Sequence, residues 1–113
     1  MRKMNHPAMD DIALSQVLYA LSDPVRLDVV RTLARDGVAS CSALDGGRPK
    51  STVSHHFKVL REAGLVYTEN AGTTHMNTLR RADIESRFPG LLDAILAQQP
   101  LSPEAPEAGG QAV

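Results

Sequence analysis

A chain of 113 residues has room for one domain with a modest core and not for two, and folds of this size often gain stability by pairing. With 42% hydrophobic and 22% charged residues the composition is that of an ordinary globular protein, and no apolar run approaches the length of a membrane span. A formal net charge of −1 excludes a bulk polycation, and the single cysteine, Cys41, excludes an intrachain disulfide and any multi-cysteine zinc module.

Residues 1–9, polar and carrying Pro7, are expected to form a flexible arm. The opening string MRKMNHPAMDD has charge but no apolar stretch of the kind a signal peptide needs, so the expected location is the cytoplasm. Asp10 and Asp11 suit a helix N-terminus, where the dipole favours negative charge. From there Leu14, Val17, Leu18 and Leu21 recur at i, i+3, i+4 and i+7, an amphipathic helix. Its apolar stripe either closes its own domain or packs against a second subunit.

Asp23-Pro24 is an N-cap followed by a proline at the first helical position, and Gly37 closes the helix that begins there. Val25, Val29 and Leu33 form one row and Leu27, Val30 and Ala34 another, so this helix should be the most buried. Arg26 lies inside that arc, which suits a structural ion pair or a carbonyl contact better than catalysis. Val38 to Asp45 is expected as a short third helix anchored by Val38, Ala43 and Leu44. Gly46-Gly47-Arg48-Pro49 is then the turn into the next helix.

The stretch from Pro49 to Val66, PKSTVSHHFKVLREAGLV, organises the chain. On a helix Val53, Phe57 and Leu60 share one face, and Ser51, Ser54, His55 and Lys58 share the other. The window from Arg48 to Arg61 holds Arg48, Lys50, Lys58 and Arg61 and no acid. Hydroxyls, an imidazole and ammonium or guanidinium groups suit phosphate oxygens and base edges. Pro49 stands where a Ser or Thr cap is usual, leaving the capping to Ser51 or to backbone geometry. Gly64 ends the helix.

Beyond it, Leu65 to Asn70 and Thr73 to Arg80 read as two strands joined by a hairpin turn at Ala71-Gly72, with Thr73, Thr74 and His75 at the tip. Asp83 begins a last helical stretch, DIESRFPGLLDAILAQ, which Pro89 divides or restarts. Leu91, Leu92, Ile95 and Leu96 give it a dense apolar side, and a helix this short needs a partner surface. The tail, residues 99–113, is rich in Pro, Ala, Glu and Gly and is expected to be disordered.

The string S-T-V-S-H-H-F-K-V-L-R-E-A-G-L-V resembles the recognition helix of the ArsR/SmtB-type winged helix-turn-helix repressors of bacteria. Leu21-Ser22-Asp23-Pro24-Val25-Arg26-Leu27 is similar to that family's junction between its first two helices, and the resemblance spans roughly residues 10–97. It implies a mostly α fold with a small β-hairpin, in the order α-α-α-α-β-β-α, forming residues 10–98 of a homodimer. It also implies repression by binding double-stranded operator DNA with an inverted repeat. The DNA contacts are then expected from Arg48, Lys50, Ser51, Thr52, Ser54, His55 and Lys58, and from Thr73, Thr74 and His75 on the wing. Leu14, Leu18, Leu91, Leu92 and Ile95 are expected at the dimer interface.

Many relatives of this type release DNA on binding metal, through clustered cysteines on the third helix or Asp and His ligands on the last one. Here Cys41 stands alone, and 81–99 has no His or Cys. His55 and His56, adjacent on a helix, point about 100° apart and chelate poorly. No metal site and no cofactor are therefore expected. Cys41 fits either a small buried hydrophobe or a redox-reactive thiol. Asp10/Asp11 and Asp83/Glu85 sit at helix starts and make no catalytic pair, and no nucleophile or phosphate-loop motif is present, so no enzyme is expected. Two alternatives stay open: an effector-responsive switch triggered by metal, thiol chemistry or a small molecule, and a winged-helix protein-interaction module without DNA binding.

Overall fold

The structure, a computed structural model, describes residues 6–98. A short 3-10 turn, Met9–Asp11, precedes α1 (Leu14–Leu21), α2 (Pro24–Asp36), β1 (Val38–Ser40), α3 (Lys50–Glu62), β2 (Val66–Ala71), β3 (Thr74–Leu79), α4 (Arg81–Arg87) and α5 (Leu91–Leu96). The three strands form an antiparallel sheet in the order β1-β3-β2. Helices and sheet enclose one core of Ile12, Val17, Val30, Leu33, Phe57, Leu60, Leu65, Val66, Ile84 and Leu92, each no more than 2% exposed.

The start of α2 follows its capping chemistry. Asp23 Oδ1 accepts from the N–H groups of Val25 at 2.8 Å and Arg26 at 3.2 Å, and Pro24 is the first helical residue. Burial pushes the Asp23 carboxyl up, but those two hydrogen bonds and the nearby charge of Arg26 outweigh it and hold its pKa below the ordinary value. Arg26, 5% exposed, donates from Nε to the carbonyl of Ala20 at 2.8 Å and from Nη2 to that of Tyr19 at 3.3 Å. Those carbonyls belong to the last turn of α1, where a cation is favoured; that of Tyr19 also accepts from the Ser22 N–H and hydroxyl.

The helix expected over Val38–Asp45 is not formed, which changes the element order: a strand and a run of turns take its place. Val38, Ala39 and Ser40 pair with Thr78, Asn77 and Met76. Ser40 Oγ then accepts from the Ala43 N–H at 3.1 Å, a local bond that competes with helix formation. With β3 offering an open edge, three residues of β1 gain ladder bonds that a marginal helix with few apolar anchors could not match. At the sheet's centre Thr68 Oγ1 donates to Asn77 Oδ1 at 2.7 Å, and Asn77 Nδ2 donates to the Ala39 carbonyl at 3.2 Å, tying all three strands.

Three further expectations are corrected. Asp10 and Asp11 lie in the 3-10 turn, and α1 begins only at Leu14, because Ile12 and Ala13 are extended so that Ile12 can enter the core at 1% exposure. The arm is not loose from residue 6 onward. His6 Nε2 accepts the N–H of Thr68 on the outer edge of β2 at 2.9 Å, its ring packs on Tyr67 at 4.4 Å, and Arg80 holds the Pro7 carbonyl at 2.8 Å. The hairpin loop is Gly72-Thr73, one residue later than expected, with Gly72 at φ +72°. Residues 1–5 of the arm and the tail 99–113 lie outside the described residues.

Gly64 ends α3 at φ +86°, and the Leu65 N–H reaches the Leu60 carbonyl at 3.1 Å, closing a Schellman turn. A Cβ at Gly64 would lie 2.5 Å from Ile12 Cγ1, so this position requires glycine for both conformation and space. The last helical stretch is divided, as Pro89 allows, into α4 and α5.

Candidate nucleic-acid interface

α3 is positioned from within. Val53, Phe57 and Leu60 are buried at 9%, 2% and 0% exposure, fixing the rotation of the helix about its axis. That rotation leaves Ser51, Thr52, Ser54, His55 and Lys58 exposed on the opposite side. His56 sits between the two faces, half-buried, with Nδ1 3.2 Å from Arg26 Nη1. A guanidinium can only donate, so this ring nitrogen accepts. His56 thereby ties α3 to the junction of α1 and α2, while His55 is free to meet a partner.

No side chain caps α3: Pro49 precedes it and Ser51 does not reach back, so the capping falls to backbone geometry. Its first N–H groups are open to an anion, as helix N-termini often are at phosphate sites. Lys50 is the first helical residue and Arg48 lies just before it in the turn, where Arg48 Nη1 donates to the Asp45 carbonyl at 3.2 Å. Asp45 Oδ1 accepts from the Gly47 N–H at 2.9 Å, which shapes this turn together with the positive φ of Gly46 and Gly47.

Between the turn after β1, the side of α3 and the wing tip lies a cleft of about 480 Å³. It brings together Arg48, Lys50, Ser54, Thr73, Thr74 and His75 from the predicted contact set, whereas Ser51, Thr52, His55 and Lys58 lie outside its lining. Cys41, Ser42 and Arg61 join them. Arg61 is absent from the expected contact set, yet Lys50, Ser54, Phe57 and Arg61 follow one another at i, i+4, i+7 and i+11, a stripe visible in the sequence. Withdrawal from water lowers the Arg61 pKa, partly offset by Cys41 and Glu62. Cys41 is half-buried, and its Sγ accepts from Asn77 Nδ2 at 3.3 Å.

The residues expected at a dimer interface divide. Leu14 and Leu18 are 45% and 47% exposed on α1, beside Tyr19 at 60%. Leu91 and Ile95 are half-buried. Leu92 is corrected: at 1% exposure it belongs to the protomer's own core, because the break at Pro89 turns α5 so that its second residue faces inward. Among the described residues no group of three or more His, Cys, Asp or Glu side chains is placed to hold a metal ion.

Residues 21–69, from the end of α1 into β2, match the family described as a helix-turn-helix domain. A helix-turn-helix transcriptional regulator, YceK, of Bacillus subtilis is 37% identical over 89 residues, covering 76% of this chain and 89% of that protein. An arsenical resistance operon repressor of Staphylococcus xylosus is 37% identical over 67 residues, 58% of this chain and 64% of that one. The crystal structure of an ArsR family transcriptional regulator superposes with a TM-score of 0.61 at 23% identity, covering 72% of this chain and 90% of that one, and shares the fold. The buried-inside, polar-outside α3 and its wing thus have their counterparts in a known group, and the chain belongs to the ArsR-type family of winged helix-turn-helix transcriptional regulators.

Proposed function

We infer that the chain is a dimeric repressor that binds double-stranded operator DNA, laying the exposed face of α3 in the major groove and the wing tip against the backbone. The observation that carries this reading is the exposed row Ser51, Thr52, Ser54, His55 and Lys58 on a helix whose other face is locked in the core. Arg48 and Lys50 flank that row, and no acid interrupts it between Arg48 and Arg61. Lys58, Lys50 and Arg48 supply phosphate attraction. Ser54 and His55 offer the donors and acceptors that base edges require. Thr73, Thr74 and His75 are short enough to follow the backbone or a minor groove.

Pairing through Leu14 and Leu18 of α1, together with the half-buried Leu91 and Ile95 of α5, would cover apolar surface. It would also present two copies of α3 about one DNA turn, roughly 34 Å, apart. Such a protein would act as a regulator on DNA in the cytoplasm rather than as an enzyme. No helix among the described residues is long and apolar enough to cross a membrane.

Selecting bound DNA from a random pool with the purified protein, followed by footprinting, tests the proposal. An enriched inverted repeat with half-sites centred about 10 base pairs apart is the expected result. A pool that never enriches, with no salt-dependent binding to random DNA, would indicate an interaction module instead.

A further inference from the structure

The cleft between α3, the wing and the turn after β1 has a charge pattern that exposed α3 contacts alone do not account for. Three cations, Arg48, Lys50 and Arg61, line it, together with His75 and the hydroxyls of Ser42 and Ser54. Its one carboxylate, Asp45, already accepts the Gly47 N–H. Arg61 is half-buried, yet among the described residues its guanidinium makes no ion pair and no hydrogen bond. The other buried or half-buried arginines each find at least one partner: Arg26 meets carbonyls, Arg80 meets Asp83, and Arg31 reaches the Gln98 carbonyl from Nη2, although its buried Nε has none. A guanidinium drawn out of water costs free energy unless an anion or several acceptors meet it. Here the acceptors are lacking and the opening faces solvent.

We propose that this cleft is an oxyanion site for a phosphate group, with Arg61 as its central cation. The guanidinium fork suits phosphate oxygens, Arg48 and Lys50 add charge at the mouth, and the hydroxyls complete the coordination. The volume falls within the range of small-molecule sites and exceeds what one phosphate fills. Two sources can deliver the group: a backbone phosphodiester of the DNA held by α3, or a free phosphate-bearing molecule that competes with that DNA. The first source rests on the DNA-binding reading above. The second does not.

The test uses the full chain as wild type, Arg61→Gln, Arg61→Lys and Lys58→Ala. DNA affinity is measured against salt, and the rate of Cys41 alkylation by iodoacetamide is measured against inorganic pyrophosphate at constant ionic strength. Cys41 lines the same cleft and is the chain's only thiol, so its rate reports occupancy. If the phosphate is that of DNA, Arg61→Gln weakens binding about tenfold and lowers the salt slope by about one, while Arg61→Lys retains most of both. If the phosphate is free, pyrophosphate slows alkylation saturably by at least about threefold in wild type and not in Arg61→Gln, and it displaces DNA beyond matched chloride. Ser42→Glu, on an exposed wall outside the contact row, sets a carboxylate in the cleft and should act in the same direction should Arg61→Gln not fold. Unchanged DNA binding and unchanged alkylation in both Arg61→Gln and Ser42→Glu overturn the site. If Lys58→Ala still weakens DNA binding in that case, the site alone has failed. If Lys58→Ala is silent as well, the DNA-binding reading has failed with it.

Discussion

Arg26 on α2 donates from Nη1 to Nδ1 of His56 on α3 across 3.2 Å, while its Nε and Nη2 hold the carbonyls that end α1. One buried side chain therefore joins the junction of the first two helices to the helix that carries the contact face. Replacing it by Met keeps the bulk and leaves the Ala20 carbonyl and the His56 acceptor unpaired, while the Tyr19 carbonyl keeps the Ser22 N–H and hydroxyl. We expect Arg26→Met to cost about 3 kcal/mol, measured by urea unfolding, within the range for orphaned buried polar groups. A loss below about 0.5 kcal/mol would show that water replaces the guanidinium without penalty.

Gly64 and Ile12 form a second close pair. Gly64→Ala forces a Cβ to within 2.5 Å of Ile12 Cγ1 at a backbone φ of +86°. Conformational strain and overpacking together should destabilise by about 2 to 4 kcal/mol. In an Ile12→Ala background, where the space is open, we expect the same change to cost only the strain, about 1 kcal/mol. Equal costs in both backgrounds would mean that the close approach is irrelevant.

The docked arm should respond to pH. Burial first, then the charges of Arg61 and Arg80, lower the His6 pKa below its ordinary value of 6.5. The folded state thus holds the neutral ring, whose Nε2 accepts the Thr68 N–H. The unfolded chain binds a proton more readily, so this contribution is complete above the unfolded pKa. It fades as pH falls below about 6.5, and is spent once the folded pKa has been passed. NMR titration should show the His6 ring and the Thr68 amide shifting together with a midpoint below 6.5. His6→Ala should abolish the Thr68 transition. A midpoint at or above the ordinary value would break the assignment.

Pairing has its own test. Leu18→Lys places a charge at a position 47% exposed in the protomer, so the fold should survive while self-association is lost. Sedimentation is expected to show wild-type dimers and Leu18→Lys monomers at micromolar concentration, with affinity for a two-half-site DNA falling at least about tenfold. A wild-type monomer at that concentration would remove pairing from the mechanism.

Much of this architecture was legible because its signals are local and periodic. Asp23-Pro24 starts a helix by capping chemistry alone, and Val53, Phe57 and Leu60 orient α3 by spacing alone. What escaped depends on contacts distant in sequence. Val38–Ser40 becomes a strand because β3 lies beside it, a neighbour more than thirty residues away. Ile12 falls outside any helical period because it enters the core from an extended segment, and His6 finds its partner 62 residues on. Leu92 faces its own core because the chain breaks at Pro89, and apolar spacing cannot tell one burial from another. Arg61 lay in a visible stripe with Lys50 and Ser54, but only the folded turn after β1 makes that stripe the wall of a cleft.

The exposed face of α3 as the reader of DNA is tested most directly through His55. Competition anisotropy would compare wild type and His55→Ala on the selected operator and on scrambled DNA of equal length and salt. We expect His55→Ala to keep its affinity for scrambled DNA and to lose about 1 to 3 kcal/mol of discrimination for the operator. A variant that folds normally and discriminates as well as wild type would contradict the assignment of that face.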